Sequence, residues 1–166
     1  MDKRWFEQYQ NGVPHEINSS QYLSLVDLFK ESCDLYANKT AYANLGSEMS
    51  YTELNHLSRY FATYLQQLGL EKGARVAIMM PNLLQYPVAL FAILRAGYIV
   101  VNTNPLYTPD EVIHQMNDSG AEVIIVLANF AKTVEKALPS MPGVKHIIIT
   151  QIGDLFSPPN VLLLTS

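Results

Sequence analysis

The chain is poor in cysteine and in charge, and each shortage removes a class of protein from consideration. A single cysteine, Cys33, excludes an internal disulfide. Charged residues make up only 16% of the 166 residues and leave a formal net charge of −4, so a basic surface for nucleic acid or anionic lipid is not expected. The opening "MDKRWFEQYQ" has no apolar run typical of a signal peptide. We therefore expect a cytoplasmic protein that does not bind nucleic acid.

The sequence also lacks the motifs that usually mark a catalytic or cofactor site. Its eight glycines form no GxGxxG, Gly-Lys-Ser/Thr or GxSxG pattern. The four histidines, His15, His56, His114 and His146, lie far apart and have no zinc-ligand spacing. His56 and Glu53 share a helix face, which is better explained by a solvated pair than by an acid–base couple. We therefore predict no catalytic, cofactor-binding or metal-ligating residue in this chain.

What the sequence does contain is a regular alternation of strand and helix patterns. Four nearly continuous apolar runs, at 75–80, 98–102, 122–128 and 145–150, are separated by segments of helix length. Strands of this kind are covered on both faces. The order predicts right-handed βαβ crossovers and an α/β fold, in which a mostly parallel sheet lies between two helical layers.

Three segments follow from this pattern. Residues 1–23 have little periodicity and predict an extended N-terminal arm, residues 24–156 form the α/β subdomain, and residues 157–166 form an irregular tail at a point where the chain is truncated. Residues 83–94 are too short to span a membrane and predict a helix buried on most sides. Cys33 falls on the apolar stripe of a predicted helix and is expected to be buried.

The stretch "VNTNPLYTPDE" follows the second of these strands, at the position where α/β proteins usually bind ligands. Thr108 and Glu111 have the spacing of a capping box, which predicts the start of a helix there. The structural interpretation, a turn and a helix start, is favoured. The alternative is that Asn102, Thr103 or Asn104 contacts a ligand.

The other helix starts repeat this spacing. Ser24 precedes Asp27 by three residues, and Ser50 precedes Glu53 and Asn82 precedes Gln85 by the same interval. Each pair predicts that side chains satisfy the free N–H groups of the first helical turn. We therefore expect these helix starts to be closed to a triphosphate.

One long stretch, "MMPNLLQYPVALFAILRAGYIVVNTNPLYTPDEVIHQMNDSGAEVIIV", closely resembles the N-terminal part of bacterial long-chain fatty-acid–CoA ligases, members of the adenylate-forming superfamily. Further similarity lies in "SLVDLF" and "SYTELNHLSRYFATYLQQLGL" upstream and in "NFAKTVEKAL" and "KHIIIT" downstream. The resemblance covers about residues 3–156. It implies the fold of an acyl-CoA synthetase N-terminal subdomain.

For the whole enzyme, the resemblance implies ATP-dependent activation of fatty acids through an acyl-adenylate, with Mg²⁺ and coenzyme A. The family's phosphate loop and catalytic segments lie beyond the matched stretch, so no catalytic residue carries over and this chain alone is expected to be inactive. Its expected partner is the missing remainder of the ligase, and the whole enzyme is expected to contact the inner membrane peripherally.

Two alternatives remain open on the residues alone. One is a stand-alone, non-catalytic α/β assembly or binding module that self-associates through exposed apolar surface. The other is a free-standing, flavodoxin-like nucleotide binder, which would need a phosphate loop after a strand.

Overall fold

The protein is described by a computed structural model that covers residues 4–18 and 20–156, so the predicted tail 157–166 lies outside the described residues. Within these residues there are six strands: β1 (Thr40–Asn44), β2 (Ser47–Ser50), β3 (Arg75–Met79), β4 (Ile99–Asn102), β5 (Ala121–Leu127) and β6 (His146–Thr150). Five α-helices accompany them: α1 (Leu25–Leu35), α2 (Tyr51–Gln67), α3 (Gln85–Arg95), α4 (Pro109–Ser119) and α5 (Ala131–Ala137). Short 3₁₀ helices lie at Arg4–Gln8, Ala128–Phe130, Leu138–Ser140 and Ile152–Leu155.

The main sheet contains four parallel strands in the order β4–β3–β5–β6. Side chains on one of its faces pack with α2 and α3, and those on the other face pack with α4 and α5. This confirms the predicted fold, a parallel sheet between two helical layers. The chain reverses its direction of strand addition between β3 and β5, which is the switch point of a doubly wound fold.

Burial along the sheet separates the central strands from the edge strands. Val76 and Ile78 in β3 and Ile124 in β5 are completely buried. In contrast, Ile99 in β4 is 49% exposed and Ile149 in β6 is 58% exposed. The prediction that all four strands are covered on both faces is therefore wrong for the two edge strands. A continuous run of apolar residues does not reveal whether a strand lies at the centre or at the edge of the sheet.

The hairpin β1–β2 and helix α1 form a second, smaller layer beside α2 and α3. The strand β2 has little sequence signal, because "SEMS" is short and mostly polar. Below the hairpin, Phe29 stacks on Phe91 with ring centroids 3.7 Å apart. Cys33 lies in the same cluster and is 3% exposed, which confirms its predicted burial.

The N-terminal segment has more local structure than the predicted extended arm. A 3₁₀ helix spans Arg4–Gln8, and the ring of Phe6 stacks on that of His15 at a centroid distance of 4.3 Å. Tyr9 contacts both rings edge-on. The contacts of His15 with Phe6 and Tyr9 span nine and six residues, which matches no helix or strand period, so the sequence did not reveal them.

Within the described ranges, none of the helices combines the length and the apolar character that crossing a membrane requires. Helix α3 contains most of the apolar run 83–94, and six of its side chains are buried. The prediction of a helix buried on most sides is therefore confirmed.

Candidate functional site

The carboxyl ends of β3 and β4 border a cleft of about 400 Å³, which lies on the ligand-binding edge of an α/β sheet and one strand away from the switch point between β3 and β5. Pro81 and Asn82 line it from the loop after β3, and 102–105 line it from the loop after β4. Tyr86 closes the side nearest α3. All the residues that line this cleft are uncharged, so it offers polar groups but no cation for a phosphate.

Asn102, the first of the three candidate ligand contacts, is held by two internal hydrogen bonds. The Tyr86 hydroxyl donates to Asn102 Oδ1 at 2.7 Å. Gln115 of α4 donates its side-chain amide to the main-chain carbonyl of Asn102 at 2.9 Å. Asn102 therefore joins the end of β4 to a helix on each face of the sheet.

Thr103 and Asn104 are also placed by the surrounding chain. The N–H of Thr103 donates to the carbonyl of Ile78 at 3.0 Å, which continues the β3–β4 pairing by one residue. Thr103 is only 5% exposed, and its hydroxyl has no partner within the part of the chain that is described. Asn104 Oδ1 accepts from the N–H of Leu106 at 3.0 Å, which forms an Asx turn. These contacts support the structural interpretation of the loop.

The predicted capping box of α4 is present. Glu111 accepts hydrogen bonds from the N–H and the hydroxyl of Thr108, both at 2.8 Å, and Thr108 Oγ1 accepts from the N–H of Glu111. The two bonds from Thr108 stabilise the carboxylate and lower the pKa of Glu111. The positive end of this helix is already occupied by a negative group of its own.

Helices α1 and α2 are also capped as predicted. Ser24 Oγ accepts from the N–H of Asp27 at 3.1 Å. Glu53 accepts from the N–H of Ser50 at 2.8 Å, and hydrogen bonds from Ser50 lower the pKa of Glu53. Because this carboxylate caps the helix, Glu53 is not positioned as a base for His56, whose ring faces that of Tyr60.

The predicted cap of α3 is wrong. The helix begins at Gln85, and its N-cap residue, Leu84, makes no side-chain cap hydrogen bond. The Gln85 side chain turns away from the helix start and donates to the carbonyls of Gln151 at 2.7 Å and Ile152 at 3.2 Å. The partners lie more than sixty residues along the chain, so local spacing gave no signal for them.

Over residues 4–18 and 20–156, titratable side chains form no recognisable metal centre. Among the residues that the structure describes, no group of three or more His, Cys, Asp or Glu side chains is arranged to hold a metal ion. Burial raises the pKa of the Cys33 thiol, and the nearby positive charge of Arg95 only partly opposes this effect. A buried thiol with a raised pKa is a poor nucleophile.

The parallel sheet, its two helical layers and the polar cleft at its carboxyl edge define an α/β domain of the doubly wound class. A family profile described as "AMP-binding enzyme" matches residues 29–161. The chain belongs to this family of AMP-binding enzymes.

Two curated relatives are both described as long-chain-fatty-acid–CoA ligases. The chain is 56% identical over 158 residues to a long-chain-fatty-acid–CoA ligase of Escherichia coli O6:H1. The aligned region covers 95% of this chain and 28% of the relative. It is 35% identical over 162 residues to a long-chain-fatty-acid–CoA ligase of Bacillus subtilis strain 168. This aligned region covers 96% of the chain and 28% of that relative.

A solved structure supports the same relationship. A benzoate CoA ligase from Burkholderia xenovorans LB400 superposes with a TM-score of 0.70 at 28% identity, over 76% of this chain and 25% of that chain. The chain thus spans only about a quarter of the length of the proteins that it matches. The matched part corresponds to the N-terminal part of the long-chain fatty-acid–CoA ligases.

Proposed function

We propose that this chain is the N-terminal subdomain of a long-chain fatty-acid–CoA ligase. The observation that carries the proposal is the 56% identity to the Escherichia coli ligase over 95% of the chain. The whole enzyme would use ATP, Mg²⁺ and coenzyme A to convert a fatty acid into its acyl-CoA through an acyl-adenylate. Within it, this domain supplies a rigid wall of the larger fold.

We further propose that the chain alone has no ligase activity. Forming an acyl-adenylate develops negative charge on phosphate oxygens, which requires preorganised cations, N–H donors or a metal. The cleft at the ends of β3 and β4 is lined by uncharged residues. The starts of α2 and α4 are occupied by Glu53 and Glu111. These features support a structural role for the domain.

The test compares the isolated chain with a chimera in which residues 4–156 replace the matched segment of the Escherichia coli ligase. Both are assayed for pyrophosphate release and acyl-CoA formation with ATP, Mg²⁺, palmitate and coenzyme A. We expect activity in the chimera and none above background in the isolated chain. Turnover by the isolated chain, or a folded chimera without activity, would refute the proposal.

A second candidate is a stand-alone assembly module, and the exposed isoleucines of β6 favour it. Ile147 and Ile149 are 36% and 58% exposed on a strand without a charged residue. Large exposed apolar groups commonly mark an association surface. Light scattering after size-exclusion chromatography separates the two: a concentration-dependent dimer supports this candidate, and a monomer at high concentration counts against it.

For the whole enzyme we extend the proposal to a cytoplasmic location with peripheral contact to the inner membrane. Long-chain acyl substrates partition into the bilayer because of their apolar surface, so a ligase that uses them benefits from such contact. Flotation of the chimera with vesicles of bacterial inner-membrane lipid tests this. Failure of the chimera to float would contradict the proposed membrane contact and leave the ligase assignment unaffected.

A further inference from the structure

We infer that the Asn11–Gly12 peptide is a site of spontaneous deamidation, at which the asparagine side chain is converted into aspartate and isoaspartate without an enzyme. The co-reactant is water. The inference follows from the local chemistry of the N-terminal segment, so it does not depend on the proposed ligase function.

The residue after Asn11 is the one that permits this reaction. Asn11 is the only asparagine in the sequence that directly precedes a glycine. Deamidation begins when the main-chain nitrogen of the following residue attacks the side-chain carbonyl carbon of the asparagine. Glycine has no Cβ, so its nitrogen meets the least steric hindrance and its backbone turns most freely toward that carbon. Asparagine is one of the residues that limit the durability of proteins at high temperature.

The structure places this peptide in an exposed tight turn. The N–H of Val13 donates to the carbonyl of Gln10 at 3.1 Å, so Asn11 and Gly12 are the two central residues of the turn. Both are exposed. Gly12 has φ of +91°, and apart from its chain neighbours no described heavy atom lies within 4 Å of the place that a side chain on it would take. Water therefore reaches the peptide, and the turn can open without disturbing the core.

The two reacting groups are also free of hydrogen bonds. In the part of the chain that the structure describes, neither the side-chain amide of Asn11 nor the N–H of Gly12 has a hydrogen-bond partner. No bond of either group has to break before the nitrogen approaches the carbonyl carbon.

Two other asparagines show the opposite arrangement. The N–H of Lys39, which follows Asn38, donates to the carbonyl of Tyr36 at 2.8 Å. Asn117 lies within α4, and its side chain donates to the carbonyl of Ser140 at 3.0 Å. In each case a hydrogen bond holds one of the reacting groups, so these residues should react more slowly than Asn11.

The reaction balances with one molecule of water. The nitrogen of Gly12 loses its proton and forms a bond to Cγ of Asn11, while the bond from Cγ to the side-chain nitrogen breaks and ammonia leaves with that proton. The product is a cyclic imide. Water then adds to one of its two carbonyl carbons. Cleavage of the newly formed C–N bond gives aspartate, and cleavage of the original peptide C–N bond gives isoaspartate, with no oxidation or reduction.

Both products change the N-terminal segment. Each adds one negative charge to a chain whose formal net charge is −4. Isoaspartate also lengthens the main chain of the turn by one methylene group. The rings of Phe6 and His15 stack on each other at 4.3 Å from the two sides of this turn. The modification therefore falls inside the loop that these two rings close.

The experiment incubates the full chain at mildly alkaline pH, which favours loss of the amide proton, and follows each asparagine by peptide mapping with mass spectrometry. A synthetic pair of peptides containing aspartate or isoaspartate at position 11 identifies the products by their retention times. We expect Asn11 to convert at least about tenfold faster than Asn38 and Asn117, with both products formed. Equal rates at the three positions would overturn the inference, and so would aspartate without isoaspartate at position 11, since a cyclic imide gives both.

Two matched variants at exposed positions test the assignment on the intact protein. Asn11→Gln keeps a side-chain amide but moves its carbonyl carbon one methylene group farther from the attacking nitrogen. We expect it to slow the appearance of acidic forms in ion-exchange chromatography at least about fivefold. Asn38→Gln is the control and should leave that rate within about twofold of the parent. Acidic forms that appear as fast in Asn11→Gln as in the parent would place the reaction elsewhere and overturn the inference.

Discussion

The side-chain amide of Gln85 donates a hydrogen bond to the main-chain carbonyl of Gln151 at 2.7 Å, across 66 residues of sequence. A second bond from the same nitrogen reaches the carbonyl of Ile152. Gln85 therefore ties the start of α3 to the segment that leaves β6. Gln85 is 7% exposed, and both bonds are partly buried.

Replacing this residue tests the tie directly. We expect Gln85→Ala to lower the free energy of unfolding by about 1–3 kcal/mol, because two partly buried hydrogen bonds are lost. Urea denaturation followed by circular dichroism measures the change. Gln66→Ala, at an exposed position of α2, is the matched control and should change the stability by less than about 0.5 kcal/mol. Equal values for the two variants would show that the tie contributes nothing.

The capping glutamates predict a pH dependence of stability. Hydrogen bonds from Ser50 and Thr108 lower the pKa values of Glu53 and Glu111 in the folded state. A carboxylate with a depressed folded pKa stabilises the protein above its unfolded pKa, about 4.3 for glutamate, and this contribution is lost as the pH falls through the folded value. The Glu53→Gln, Glu111→Gln double variant should therefore lose less stability than the parent between about pH 6 and pH 3.

Urea midpoints across this pH range provide the measurement. Glutamine retains the shape of the cap but does not titrate, so the two curves should converge at low pH and separate above about pH 5. Parallel curves over the whole range would contradict the role assigned to the two carboxylates.

The turn between β1 and β2 contains a residue in an unfavourable conformation. Leu45 has φ of +48° and Gly46 has φ of +78°. Left-handed backbone costs a residue with a side chain about 1–2 kcal/mol, and asparagine tolerates it better than leucine does. We expect Leu45→Asn to raise the free energy of unfolding by about 0.5–1 kcal/mol.

The neighbouring position supplies the opposite test of this turn. Gly46→Ala introduces a side chain at a positive φ and should destabilise the protein by about 1 kcal/mol. Thermal unfolding of both variants measures the effects. A stabilising Gly46→Ala, or a destabilising Leu45→Asn, would argue against the observed turn.

The buried side of α3 should be sensitive to loss of volume. Ile93 is completely buried between α3 and the sheet. Ile93→Ala should cost about 2–5 kcal/mol, since it removes buried apolar surface and leaves a cavity. Ile99→Ala, the same substitution at a position that is 49% exposed, is the control and should cost much less. Chemical denaturation of the two variants gives the comparison.

Cys33 should react slowly in the folded protein. The thiol is 3% exposed, and its burial raises its pKa, so little thiolate is available near neutral pH. We expect a disulfide reagent to modify it at least about 100-fold more slowly in buffer than in denaturant. Mass spectrometry over time follows the reaction, and a rapid modification without denaturant would place Cys33 at the surface.

The sequence alone determined the order and type of most elements. Continuous apolar runs at helix-length spacing specify parallel strands with crossover helices, because only that arrangement buries both strand faces. The caps at Ser24, Ser50 and Thr108 could also be predicted from the sequence, since a cap and its partner lie three residues apart. The capping box that follows the "NTNP" loop was predicted in the same way, and the structure contains it.

Only the tertiary structure decided which strands lie at the edge and which helix start lacks a cap. Ile99 and Ile149 have the same sequence character as buried residues, and their exposure depends on strand order rather than on any local pattern. Gln85 is spaced like a capping residue, yet it bonds to carbonyls that the fold brings in from the far side of β6. Local hydrogen bonds are encoded by spacing of a few residues, whereas the partners of edge strands and buried amides are set by which distant segments the packed sheet brings together.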